Sequence, residues 1–183
     1  MSDSVKDSDG TPRPKIEIAK RVAHNTFDGL LKFTKENPGK TLEAGLFQFN
    51  SLVGFLMPLG PVDPAKYETA ISALSPSGAT AIGEALYSAK KKLNESKLKK
   101  QNEIVITDGM NTRGNPPEDV MAAMNRLPQE QRPVVYLIAF DVEGKTFENL
   151  QKQNVTVMEA RNSGNLQSAL DYILYQKILV EQP

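Results

Sequence analysis

The chain has no cysteine, a single histidine and no excess of either charge, with 22 Lys and Arg set against 22 Asp and Glu. Without thiols there is no disulfide framework, no thiol catalysis and no thiolate metal site. One histidine excludes a His-rich zinc centre and leaves no plausible Ser–His–Asp arrangement. The balanced charge provides no global field toward nucleic acid or an anionic membrane surface. No apolar run approaches the roughly 20 residues that span a bilayer, and the polar stretch from Ser2 to Arg13 does not read as a signal peptide. A phosphate-cradling Gly-rich loop is missing as well.

What is present is an ordinary core: 183 residues, 39% of them hydrophobic, enough for one globular domain. From Lys15 the apolar residues Ile16, Ala19, Ala23, Phe27 and Leu30 recur at helical spacing, and "ENPGK" ends the element with Pro and Gly. "TLEAGLFQFN" and "SLVGFLMPLG" read as a hairpin turning at Asn50-Ser51, with Pro58 placing its second strand near a sheet edge. Asp63-Pro64 is a cap followed by a proline at the first helical position, opening "AKYETAISAL". After the loop "SPSGAT" comes a helix carrying Ile82, Leu86, Ala89 and Leu93 on one face. "EIVIT" and "PVVYLIAF" are buried parallel-type strands, with the helix "PPEDVMAAMNRL" between them. A short helix at "TFENLQ", a strand at "VTVME" and an amphipathic helix at "SGNLQSALDYILYQKIL" complete the chain. This alternation predicts an α/β fold, a doubly wound and mostly parallel sheet with helices on both faces.

In such sheets ligands sit beyond the carboxyl ends of the strands. Asp108 directly follows a strand, and Thr80 lies in the loop leading into a helix. A hydroxyl and a carboxylate are hard oxygen donors of the kind Mg²⁺ takes, with water filling the other positions. Ser2 and Ser4 would add two hydroxyls if the N-terminal loop crosses the same rim. Spacing alone leaves other readings open, since Thr before a helix also serves as a cap and Asp-Gly as a turn.

"PKIEIAKRVAHNTFDGL", "SPSGATAIGEAL", "IVITDGMNT" and the closing "ENLQ…VTVMEARNSGNLQSAL" together resemble a von Willebrand factor A domain over nearly the whole chain. The resemblance implies a Rossmann-like fold and a metal-ion-dependent adhesion site. That site's motif is Asp-x-Ser-x-Ser after the first strand, a Thr in a second loop and an Asp in a third. Ser2 and Ser4 fall on the two serines, Thr80 on the threonine and Asp108 on the aspartate. The implied function is a binding module without enzymatic chemistry: Mg²⁺ (or Mn²⁺ or Ca²⁺) leaves a coordination position open, and a Glu or Asp of a partner protein completes it. Met110, Asn111 and Arg113, which follow the aspartate, are then candidates for partner contact. Related modules serve in adhesion, in assembly of complexes and as partners of AAA+ ATPases.

The motif's first Asp would lie one position before Met1, and the family's central first strand would precede that. Residues 1–14 are accordingly expected to be a remnant of the metal-site loop and a polar linker, with the domain proper spanning 15–183. A missing central strand would leave backbone groups unpaired at roughly 1–3 kcal/mol each. The expectation is that Met1 is an internal methionine of a longer protein, or that another chain supplies the strand. As written, the chain would bind metal weakly or not at all.

Two alternatives remain. "ITDGMN" superficially resembles the acidic Mg²⁺ loop of haloacid dehalogenase-like phosphatases, with Asp7-Ser8-Asp9 as the only early Asp-x-Asp pair; a metal-free A domain acting in assembly is the other. Asp3, Asp7 and Asp9 read as a flexible acidic linker rather than a calcium loop, because the position of the EF-hand glutamate is Pro14. His24 is expected to be exposed, Met121 and Met124 to fill core, and the six lysines from Lys90 to Lys100 to form a solvated face.

Overall fold

A computed structural model describes residues 1–180, which group into two compact units. Of the described residues, the first holds 1–48, 55–76 and 162–180; the second holds 49–54 and 77–161.

In the first unit, β1 (Ser4–Lys6) and β2 (Pro12–Pro14) form a small antiparallel hairpin in which Val5 pairs with Arg13. Its turn closes through Gly10, whose φ of +81° suits glycine, and through the Thr11 amide donating to Asp9 Oδ1 at 2.9 Å. This corrects the flexible-linker reading for Asp7, which is 4% exposed. The Asp7 carboxylate accepts from the Ser8 amide at 2.8 Å, from Arg21 at 2.7 Å and from Arg13. The Ser163 hydroxyl, then the Arg21 guanidinium, hold its pKa well below the ordinary carboxylate range, against the opposing effect of burial.

The helix α1 (Lys15–Glu36) follows directly on Pro14 and buries Ile18, Val22, Phe27 and Leu30. It stops where Asn37 turns back, its amide donating to Phe33 O at 2.9 Å ahead of Pro38. The strands β3 (Glu43–Phe49) and β4 (Val53–Pro61) pair as the expected hairpin. In α2 (Pro64–Ala73), Asp63 caps the amides of Ala65 and Lys66 at 3.0 and 3.4 Å. Phe27, Leu30, Met57, Tyr67, Ala70 and Leu174 make this unit's apolar cluster. His24, whose side chain is 40% exposed, stands between Asp28 at 3.0 Å and Glu68 at 2.6 Å, so it links α1 to α2. The helix α6 (Ser163–Ile173) is capped by Asn162, whose side chain accepts from the Asn165 amide.

The second unit is an α/β assembly around a parallel sheet in the order β5-β6-β7: Asn102–Thr107, Val134–Phe140 and Val155–Ala160. Ile106 pairs with Ile138, and Ile138 with Met158. The central β6 is buried from Val135 to Phe140, which explains its unbroken apolar run. Around it lie α3 (Ile82–Leu93), α4 (Pro117–Met124) and the single turn α5 (Glu148–Gln151). Met121 and Met124 are core residues, packed with Ile82, Leu86, Val105 and Leu137.

Two charged residues of this unit are inside. Lys90, expected on a solvated face, is 6% exposed and donates to Asn94 and, at 2.8 Å, to Gln101. Glu103 is 5% exposed, and neither of its carboxylate oxygens has a hydrogen-bond partner among the described residues. Burial pushes the Glu103 carboxyl up to about 8, with the Lys90 charge opposing. Desolvation lowers the Lys90 ammonium in turn, and Glu103 opposes that.

Candidate functional site

Two of the four sequence-assigned metal residues, Thr80 and Asp108, lie on loops that are hydrogen-bonded to each other beyond the carboxyl end of β5. Thr107 closes β5 and Asp108 follows it. The Thr107 hydroxyl folds the chain back at once, donating to Gly109 O at 2.9 Å, with the Gly109 amide 3.3 Å from the same oxygen. Thr80 ends the loop before α3. Its amide donates to Thr112 Oγ1 at 2.9 Å, while its carbonyl accepts from the Thr112 amide at 2.8 Å and the Arg113 amide at 3.3 Å. The Thr80 hydroxyl lies 3.9 Å from where a Cβ on Gly109 would be, beside the residue that follows Asp108. The loops bearing the hydroxyl and the carboxylate are therefore clamped to each other by backbone.

A third segment joins this frame. The Ser51 hydroxyl at the hairpin tip accepts from the Ala79 amide at 3.0 Å, and the Asn50 amide side chain donates to Ser77 Oγ at 2.8 Å. Gly78, with φ +64°, makes the approach possible: a Cβ there would meet Ser51 Oγ at 2.6 Å.

Asn111 has a structural task. The residue before α3 offers no side-chain cap, and Asn111 Oδ1 takes that place, accepting from the amides of Ile82 at 2.8 Å and Gly83 at 3.4 Å. Its Nδ2 donates to Asn115 O at 3.3 Å. Glu84 holds the far side of the same loop, accepting from the Asn115 side chain at 2.9 Å. Met110 and Arg113 are left facing solvent.

Gly83 fixes how closely this loop approaches α3, since a Cβ there would stand 2.1 Å from the Asn115 carbonyl oxygen. Alanine at a helical position ordinarily gains about 1 kcal/mol over glycine. Here overpacking against backbone costs about 1–3 kcal/mol and wins. Gly83→Ala is expected to lower stability by up to about 2 kcal/mol in urea denaturation and to shift the amide resonances of residues 111–116.

Ser2 and Ser4 belong to the first unit and are both exposed, Ser4 within β1 opposite Pro14. Among the described residues no group of three or more His, Asp or Glu side chains is gathered to hold a metal. What the second unit brings together is the loop that carries the Thr80 hydroxyl and the loop that carries the Asp108 carboxylate. That pair of donors fits a hard, largely water-coordinated cation, and its low charge fits modest affinity. Asn111 as the cap of α3 is beyond local sequence reading, since the two lie on different loops; the only signal was an Ala where a capping residue belongs.

The chain belongs to the von Willebrand factor type A domain family, whose sequence pattern matches residues 1–111. Among solved structures it is similar to a von Willebrand factor type A protein from Catenulispora acidiphila, with a TM-score of 0.69, 17% identity and coverage of 87% of this chain and 37% of that one. The BatB protein from Bacteroides thetaiotaomicron gives 0.67 at 20% identity, covering 88% of this chain and 87% of its own. Proximal thread matrix protein 1 from the mussel byssus, solved with zinc in its adhesion-site motif, gives 0.68 at 18% identity over 87% of this chain and 42% of its own. These likenesses establish the fold: α/β and Rossmann-like, as the alternation of elements predicted. The chain spans well under half of the Catenulispora and mussel proteins. No curated protein matches the sequence. No helix among the described residues is long and apolar enough to cross a membrane.

Proposed function

We propose that this domain is a divalent-cation-dependent protein-binding module, in which Thr80 and Asp108 hold a Mg²⁺-type ion that an acidic side chain of a partner completes. The observation that carries the reading is the backbone clamp between Thr80 and Thr112, which sets a hydroxyl-bearing and a carboxylate-bearing loop side by side on the rim. Ser2 and Ser4 remain part of the proposal as what the family motif adds. Mn²⁺ or Ca²⁺ would suit the same oxygen donors. The ion would supply a positive charge with an open coordination position; the chain's own residues position it and perform no chemistry. No nucleic-acid role is proposed.

The phosphatase alternative loses its nucleophile, because Asp7 of the Asp7-Ser8-Asp9 pair is buried and bound by Arg13 and Arg21. The metal-free assembly module is the alternative that the test must separate. Isothermal titration with Mg²⁺ is expected to show one weak site, lost in Asp108→Ala while the circular dichroism spectrum is unchanged. Equal Mg²⁺ affinity in wild type and variant would refute the assignment and leave the metal-free reading.

A further inference from the structure

The rim carries more exposed apolar surface than its own packing requires. Leu52 at the hairpin tip is 74% exposed and Met110 is 60% exposed, the two largest values among the exposed large hydrophobic residues. Both sit on constrained backbone. The Leu52 amide donates to Asn50 Oδ1 at 2.9 Å, and its carbonyl accepts from the Asn50 amide at 2.9 Å. Met110 lies between Gly109, folded back by Thr107, and Asn111, spent on capping α3. The loops of both residues are tied in series through Ser51–Ala79 and Thr80–Thr112.

Arg113 is the third outward feature. Its amide is bound to Thr80 O, and its exposed guanidinium has no hydrogen-bond or ion-pair partner among the described residues. The nearby Glu84 accepts from the Asn115 side chain and forms no ion pair with Arg113. A free guanidinium offers a forked donor set matched to a carboxylate. Apolar side chains displayed on ordered backbone cost little entropy to engage, which is how binding surfaces are built.

We infer that Leu52, Met110 and Arg113 form the specificity surface of this rim and select a partner protein segment carrying an acidic residue flanked by an apolar side chain and a second acid. The inference rests on the cation reading for the first acid, which the metal receives. The apolar side chain lies against Leu52 and Met110, and the second acid pairs with Arg113. The charge pattern favours this occupant over a basic segment, because Arg113 and a bound cation would both repel one.

A random peptide library displayed on phage, selected on the protein in Mg²⁺ and eluted with a chelator, tests this. The expected result is recovered peptides enriched in Asp or Glu, in Leu, Ile, Met or Phe, and in a second acid. The variant Leu52→Ser/Met110→Ser should lose the apolar enrichment and bind a selected synthetic peptide about tenfold more weakly. Arg113→Gln should lose only the second acid. All three side chains are exposed, so these variants keep the fold. Chelator-eluted peptides with an acid but no apolar preference would overturn the inference and leave the cation reading intact. Peptides retained equally after chelation and by Asp108→Ala would overturn the cation reading, on which the inference rests. Recovery of no peptide from a protein that binds Mg²⁺ by calorimetry would overturn the inference alone.

Discussion

Glu103→Gln is expected to make the protein more stable at pH 8.5 by several kcal/mol, while changing little at pH 4. The cause is the unpartnered carboxyl beneath α3. Its pKa is pushed from the ordinary 4.5 to about 8, chiefly by burial. Between those two values the native protein keeps a proton that the unfolded chain has released. Stability therefore falls as pH rises through that window and levels off above it, by about 5 kcal/mol for Glu103 taken alone. Most of a marginal domain's stability is of that order. Glutamine retains the shape and has no charge to desolvate, so the fall that Glu103 causes between about pH 4.5 and 8 should be absent from its denaturation midpoint. Urea titrations from pH 4 to 9 check this; parallel curves for the two proteins would show that Glu103 is not protonated in the folded state.

Asp7→Asn acts with the opposite sign. The Asp7 side chain is 1% exposed, and two guanidiniums converge on one of its oxygens. Breaking a buried pair typically costs about 3–5 kcal/mol. Arg13 and Arg21 both reach solvent, which places this case near the lower end, about 3 kcal/mol at pH 7. Because the folded-state pKa is depressed, the contribution is present above the ordinary value of 3.8 and is lost as pH falls below it. Wild type should thus lose stability steeply in acid, and Asp7→Asn should lose less. A variant as stable as wild type at pH 7 would mean that the N-terminal hairpin is not held by this cluster. Protease resistance of residues 1–14 gives an independent readout.

These two residues also mark where sequence reading ends. The alternation of elements was legible because each strand and helix announces itself locally: Asp63-Pro64 caps what it precedes, and the run Val135–Phe140 is apolar because both of its faces are covered. The loops of Thr80 and Asp108 could be placed on one rim by the topology of parallel sheets. Asp7 and Lys90 could not be placed inside, and Glu103 was legible only as the first residue of a buried strand, not as an unpartnered carboxyl. Asp7 and Lys90 are charged residues in polar or mixed stretches, and only partners distant in sequence decide their burial. Asp7 meets Arg21 and Ser163, while Glu103 faces Lys90. Asn111 was legible as a rim residue, and its use as the cap of another element was not.

That borrowed cap gives the protein a built-in reporter. A helix that supplies its own cap frays on its own schedule. Here the amides of Ile82 and Gly83 are protected only while Asn111 stays in place. Their hydrogen exchange should therefore follow the opening of the 108–116 loop rather than the melting of α3. Two resonances would then time the rim's motion, with or without a bound partner.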